Sequence, residues 1–401
     1  MRLASIIALG LLSTSSAAFA QLKAPVERQV NIQAATTLTY DSNVFNTNAV
    51  TQQLFGQHGS DIRATPSLDF DVVLPVSRQS VYAHGSVGYD FYKRNHRLNR
   101  ERIGVDAGAN LDIAGCAPNL NVGYTRAQSN FADIFTPTGR GNVETRKTMG
   151  ASAVCGGPLG LQAGASYSHS ESRNSGAFFD RQSYNSDTIG ANVGYIRPTF
   201  GVLSLYGNYT TTSYLNRRFL VPGVGIVNDG IETYAAGVEF QRNIGSRISG
   251  SVSLGYTWVR PKLPISPRFN GASYGADITL MPTDGFQVTL SAGRDVSASN
   301  LLDVSYTITD LYSLGGTYAL GQSLTLTFDA SHRSRKLRGP AVVQGLMLQD
   351  DTVITGGVGL RYRMNERLMF DTHFSQVRRD SDALFQRYHG SQVSFGVSLR
   401  L

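Results

Sequence analysis

The amino-acid sequence predicts an all-β protein: a closed antiparallel transmembrane β-barrel of about 18 strands, within a range of roughly 16 to 18. Three observations predict it. Apolar side chains alternate with small or polar ones along most of the chain. After the N-terminal 20 residues no apolar run is long enough for a membrane-spanning helix. Short connections alternate with long ones.

The clearest alternation lies at the C-terminus, between Gln392 and Leu401. A strand points successive side chains to opposite faces, so one face there is apolar and the other small or polar. The apolar positions are Val393, Phe395, Val397, Leu399 and Leu401. We expect this strand to be recognised by the barrel-assembly machinery. It should also pair with the first strand, because a sheet in hydrocarbon cannot leave an open edge.

The connections supply evidence independent of the strands. Short ones such as Pro282-Thr283-Asp284-Gly285 carry turn residues. Outer-membrane barrels place short turns at the periplasm and long loops outside. A barrel of this size leaves an aqueous lumen unless loops fill it. The predicted long extracellular loops are Asn43–Ser60, Ala132–Asn142, Asn216–Gly230, Lys262–Asn270 and Gly339–Gln349.

The N-terminus has the organisation of a secretion signal. Arg2 precedes an apolar run from Ile6 to Leu12, and Ala18-Phe19-Ala20 forms a cleavage site. We therefore predict a signal peptide over residues 1–20, a short periplasmic segment over 21–29, and an outer-membrane barrel over 30–401.

Composition narrows the class of protein. Charged residues make up 16% of the chain, against about 25% in soluble domains. The formal net charge of +7 has no basic helix or RNA-binding motif beside it, so we predict no nucleic-acid partner. The segment Gly271–Gly275 matches the G-x-S-x-G motif of hydrolases, but it lies inside an alternating strand without a following helix. The seven histidines show no metal-ligand spacing, and we predict neither an enzyme nor a cofactor.

The chain has two cysteines, Cys116 and Cys155. Both fall beside turn sequences at the predicted periplasmic end, one to two strands apart. Export to an oxidising compartment permits a disulfide. We predict a bridge with a structural role.

Basic and aromatic side chains cluster near the ends of the predicted strands. One basic set faces inward near the mouth, where it would attract anionic solutes or pair with Asp229, Asp350 and Asp351. A second basic set faces outward, where lipopolysaccharide phosphates are natural partners. Outward aromatics suit the girdle at the membrane interface. The inward set is Arg94, Arg218, Arg333, Arg335 and Arg379; the outward set is Lys93, Arg126, Arg173 and Arg260; the aromatics are Tyr89, Phe91, Tyr124, Tyr256 and Trp258.

The segments Thr39–Phe45 and Ser60–Leu68 resemble the opening of a β-barrel porin family of Gram-negative outer membranes, often encoded beside exopolysaccharide synthesis and export loci. The resemblance implies a pore for exopolysaccharide export that works with a periplasmic export protein. Two other functions stay open on the residues alone. One is a general or specific diffusion porin for small solutes, and the other is a structural or adhesive surface barrel with a closed lumen.

Overall fold

The computed structural model describes residues 27–129, 141–176, 179–299, 301, 304–339, 350–383 and 386–401. The predicted signal peptide, most of the segment 21–29 and most of the predicted loops 132–142 and 339–349 lie outside these residues. Eighteen antiparallel strands form one sheet, in agreement with the prediction. The strands are β1 Gln29–Asp41, β2 Asp61–Val76, β3 Gln79–Tyr92, β4 Arg100–Asn110, β5 Cys116–Gln128, β6 Val143–Gly156, β7 Gly160–Asn174, β8 Tyr184–Arg197, β9 Gly201–Val221, β10 Gly225–Ile244, β11 Ile248–Pro261, β12 Phe269–Thr283, β13 Phe286–Ala298, β14 Tyr306–Leu320, β15 Leu324–Arg338, β16 Asp350–Arg363, β17 Leu368–Ser381 and β18 Tyr388–Arg400.

Each strand pairs with its neighbours in sequence, and β1 also pairs with β18. Nine residue pairs close the ring, from Gln33 opposite Arg400 to Asp41 opposite Gln392. The predicted pairing of the first and last strands is confirmed. Closure removes the open edge that a spanning sheet could not tolerate in hydrocarbon.

The outer face carries the apolar side chains of the alternation. Leu205 and Val193, which pair across β8 and β9, are 61% and 52% exposed. Their polar neighbours Ser204 and Asn192 belong to the opposite parity and face the interior. Apolar side chains left uncovered over a whole barrel surface indicate a lipid-facing wall.

The two ends of the barrel differ. At one end the strands are joined by short turns, and the longest of these turns is formed by residues 111–115. The other end carries longer connections, with α1 at Ala49–Leu54 and 3-10 turns at His96–Leu98 and Asp180–Gln182. In the described part of the chain no helix is long and apolar enough to cross a bilayer. The long loop predicted over Asn216–Gly230 is wrong: β9 and β10 extend through it as a ribbon that turns at residues 222–224.

The two cysteines lie at the short-turn end and are directly opposite each other. Cys116 is the first residue of β5 and pairs with Cys155 of β6, with Cα atoms 4.0 Å apart and an S–S bond. The bridge closes a segment of 39 residues around the β5–β6 hairpin. The sequence predicts Cys116 in the turn before β5. In the structure it is instead the first residue of β5, and so the two cysteines lie on adjacent strands.

We expect the Cys116→Ser/Cys155→Ser variant to fold into the barrel but to lose about 2–4 kcal/mol of unfolding free energy, because the unfolded chain loses its cross-link. Urea unfolding in detergent measures the difference. Reduction of the native protein should reproduce the loss, and reductant should not change the variant. Equal stabilities with and without reductant in the native protein would contradict the expectation.

Candidate functional site: the mouth and the lumen

Most buried side chains of this barrel lie at the end with the long connections, rather than midway along the lumen. The first connection packs on the inner side of the wall, where Phe45 is 2% exposed and clusters with Tyr92 of β3. Leu98, in the next long connection, belongs to the same cluster and is fully buried. A packed layer inside the mouth therefore narrows the entrance to the barrel.

Arg217 is the centre of a buried polar cluster in this layer. Its guanidinium lies 3.3 Å from the Asp229 carboxylate, and neither side chain has any exposed area. It also stacks 3.6 Å from the centre of the Tyr214 ring. A buried charge is tolerated only when it is paired and its N–H groups are hydrogen-bonded.

The remaining donors of Arg217 bind the backbone of two different connections. Nη1 donates to the carbonyl oxygen of Val304 at 2.8 Å, and Nη2 to that of Leu301 at 3.0 Å. Nε donates to the carbonyl oxygen of Arg181 at 3.2 Å. The Asp229 carboxylate accepts a bond from Ser305 Oγ at 3.2 Å. Arg217 and Asp229 thus fasten the connections that follow β7 and β13 to the ribbon of β9 and β10. We call these two residues the mouth clamp.

Alternation along β9 predicts that Arg218 faces the lumen at the mouth, and the structure corrects this prediction. Gly230 pairs with Ser213 and Asn228 with Arg218, so residues 214–217 lie opposite Asp229 alone. This irregularity breaks the alternation on which the prediction rested. Arg218 is exposed on the ribbon, and Arg217 is the buried residue.

A second cluster at the mouth joins β15, β16 and β17. Arg335 binds the Asp351 carboxylate through Nε at 2.8 Å and through Nη2. Arg379, which is 1% exposed, approaches the same carboxylate at 2.6 Å. These two predicted mouth arginines therefore have a carboxylate between them, which was one of the two arrangements considered from the sequence. Bidentate arginine–carboxylate pairs hold neighbouring strand ends in a fixed geometry.

The other two predicted mouth residues differ from this pair. Arg333 faces inward on β15 and is half-buried. Arg94 lies beyond the end of β3, is exposed, and donates its backbone N–H to Asp61 at 3.0 Å.

Below the packed layer the lumen is polar and holds a cavity of about 370 Å³. Strands β1–β4 and β16–β18 line it. Three arginines and two carboxylates face it, and Arg361 Nε is buried there without a hydrogen-bond partner. Sequence analysis missed these residues as a site, although their parity alone marks them as inward. They are Arg63, Arg102, Arg361, Asp69 and Asp371.

Three of the four predicted lipopolysaccharide-facing residues have partners on the protein itself. Arg126 binds Glu101 at 2.5 Å and Arg173 binds Glu171 at 2.9 Å. Arg260 lies 5.3 Å from the centre of the Tyr234 ring. Lys93 is exposed just after β3. The pairs neutralise Arg126 and Arg173, which weakens their attraction for phosphate.

The predicted girdle residues lie on the outer face near the mouth. Tyr89 stacks against Phe91 with ring centres 4.7 Å apart, and Tyr256 against Trp258 at 4.8 Å. Tyr124 lies on the outer face of β5, opposite Lys147. Such rings suit the boundary between hydrocarbon and head groups.

Within the described residues no group of three or more His, Cys, Asp or Glu side chains is placed to hold a metal ion. The G-x-S-x-G segment lies on β12, as its alternation predicts. Charged and polar side chains line the described lumen cavity.

Comparison with known proteins supplies the family. The model of the family described as "Putative beta-barrel porin 2" matches residues 30–401. The chain belongs to this family. It is an outer-membrane β-barrel porin, in agreement with the resemblance noted in its first two strands. No curated protein matches it in sequence.

Solved structures with similar architecture include Pseudomonas aeruginosa OccK2 (OpdF) in complex with glucuronate. It is 12% identical, with a TM-score of 0.48, and the match covers 94% of this chain and 98% of that one. A BenF-like porin from Pseudomonas fluorescens Pf-5 is 11% identical, with a TM-score of 0.48 and coverages of 94% and 99%. The siderophore receptor PirA from Acinetobacter baumannii is 8% identical, with a TM-score of 0.46 and coverages of 94% and 81%.

Proposed function

We propose that this porin is a diffusion channel for small polar solutes, with its narrowest part inside the extracellular mouth. The proposal rests on the layer of buried side chains inside the mouth, which includes the Phe45 cluster and the mouth clamp. The mouth clamp alone fixes two connections through fully buried contacts. A static barrier of this kind admits small solutes between its elements and excludes polymers.

Exopolysaccharide export, which the resemblance implied, requires more than this structure offers. A polymer would have to separate the connections that the buried mouth clamp fastens inside the mouth. Separating a buried ion pair leaves charges without partners, at about 3–5 kcal/mol for each pair. The geometry therefore favours small solutes over a chain of sugars.

The lumen cavity indicates the kind of solute. Its volume lies within the usual range for small-molecule sites, roughly 300–1,000 Å³. Arginines and carboxylates both line it, so a solute with an anionic group finds cationic partners there. The buried Nε of Arg361 is a donor that such a group could satisfy.

Conductance and solute flux test this function together. The purified barrel in a planar bilayer should conduct ions without removal of any loop. Proteoliposomes should swell in small sugars or carboxylates and should retain a long polysaccharide. Polysaccharide flux would favour export instead, and a closed barrel without ion current would favour the structural function.

We expect Arg361→Ala to lower the anion-to-cation permeability ratio by up to about tenfold, because the cavity wall then loses its excess of arginines over carboxylates. Reversal potentials in a salt gradient measure the ratio. Arg363→Ala, at an exposed position two residues further along the same strand that does not line the cavity, is the matched control and should change the ratio little. Equal effects of the two changes would contradict a role for the lumen cavity in selectivity.

A further inference from the structure

The barrel wall is interrupted between β12 and β13. Their ladder ends near the extracellular side at the pair Tyr274 and Arg294. Beyond it, β12 continues to Phe269 paired with β11, and β13 continues to Ala298 paired with β14. Two strand edges therefore separate over the part of the wall nearest the outer leaflet.

The extracellular end of the β13–β14 hairpin lies on the inner side of strands β10 and β11. Arg294 belongs to the outward-facing set of β13, together with Ala292. Val296 lies two residues further along the strand, and so its side chain belongs to the same face of the hairpin. Val296 is nevertheless 7% exposed and clusters with Ile231 of β10 and Val259 of β11. Both of those side chains have the inward parity of their strands. The outer face of the hairpin end thus packs against the inner face of β10–β12.

Contacts on both sides hold this arrangement. Below the separation, Arg294 binds the Asp310 carboxylate at 2.7 and 3.0 Å, and Tyr274 Oη lies 2.8 Å from Tyr312 Oη. These outward side chains fasten β12 to β14 across β13. Above it, the mouth clamp binds the carbonyl oxygens of Leu301 and Val304. The interruption is therefore bounded by two separate sets of contacts.

Apolar and aromatic side chains flank the gap, and its two edges also carry polar residues such as Asn270 and Asp295. Phe269 packs on the Val296 cluster from the edge of β12. On the outer surface, Trp258 and Tyr256 stand opposite Asn270 and Ala272 of that edge. An unpaired edge exposed to hydrocarbon leaves backbone groups unsatisfied, at several kcal/mol each in lipid. A channel for polar solutes does not require two separated strand edges in its wall, so this separation needs another explanation.

We propose that the gap between β12 and β13 is a lateral portal joining the lumen to the outer leaflet, and that it passes amphipathic solutes with an acyl chain. To pass, the acyl chain must separate the buried apolar contacts of Val296 and Ile308 with Phe269 and with the inner face of β10 and β11, while the polar head stays in the lumen. This inference goes beyond diffusion of polar solutes along the barrel axis and does not depend on it.

Cysteine cross-linking tests whether the wall is open. If the ladder continued in register, Ala272 would face Val296, just as Ala276 faces Ala292 on the paired side. With the native disulfide retained, the Ala276→Cys/Ala292→Cys control should cross-link on oxidation in the outer membrane. Ala272→Cys/Val296→Cys should not, although it migrates as a folded barrel. Cross-linking of the second pair to the level of the control would overturn the proposal.

Fluorescence quenching tests whether acyl chains reach the portal. Trp258 is the single tryptophan, so Trp258→Phe gives a background without one. In that background we compare Ser273→Trp, at the open edge of β12, with Ser170→Trp. Ser170 faces the lumen at a similar height on β7 and is paired on both sides.

Lipid with dibrominated acyl chains should quench the first tryptophan several-fold more strongly than the second. Free dibromostearate should quench it saturably. Equal quenching at the two positions would overturn the portal, whatever the conductance of the barrel. Absence of ion current with unequal quenching would overturn the diffusion channel alone.

Discussion

Arg217→Ala should open the mouth of the barrel and raise its single-channel conductance. The change removes the ion pair with Asp229 and four hydrogen bonds to the backbone of two connections. It leaves a carboxylate buried without its cation, a change that typically destabilises by about 3–5 kcal/mol. Because the clamp holds connections rather than the wall, we expect the barrel to stay intact while the packed layer loosens.

The neighbouring residue supplies the control for this prediction. Arg218→Ala removes the same charge from an exposed position on the same ribbon. It should leave conductance and thermal stability close to those of the native protein. Planar-bilayer recordings and heat-modifiable migration in gels measure the two properties. If both variants conduct like the native protein, the mouth clamp does not control the entrance.

A charge on the outer face of the wall should destabilise the barrel strongly. Val193→Arg places a guanidinium at a 52% exposed position in the apolar band of β8. An arginine on the lipid face costs about 2–4 kcal/mol near the bilayer midplane. We expect the unfolding free energy, measured by urea unfolding from lipid vesicles, to fall by an amount approaching this range. Assembly into the outer membrane should also be slower.

The adjacent position reverses the expectation. Asn192→Arg makes the same chemical change one residue away, on the face that points into the aqueous lumen. It should cost little stability, and it should alter ion selectivity instead. Similar losses at both positions would mean that β8 does not separate lipid from water.

Sequence sufficed for the wall because the wall repeats one simple pattern. Period-two alternation assigns each side chain to lipid or lumen, and the need to satisfy every backbone group in hydrocarbon dictates closure of β1 on β18. The same reasoning placed the aromatic pairs Tyr89–Phe91 and Tyr256–Trp258 on the outer surface.

Sequence failed where the pattern breaks. The extra residues 214–217 opposite Asp229 shift the parity of β9, and so Arg218 was chosen in place of Arg217. The interruption beyond Tyr274 and Arg294 was not predicted from the sequence. Alternation continues through Val296 on β13, and its reversal at Phe269 and Asn270 on β12 falls within the predicted loop Lys262–Asn270. The lumen cavity draws residues from seven strands that are distant in the chain, and single-strand parity cannot group them.

Polymer exclusion from the two sides of a planar bilayer tests the central claim most directly. The structure predicts a water-filled barrel whose narrowest part lies at the extracellular mouth. Poly(ethylene glycol) added on the periplasmic side should enter the lumen and reduce conductance at sizes that have no effect from the extracellular side. Equal exclusion from both sides, or no ion current at all, would contradict the claim.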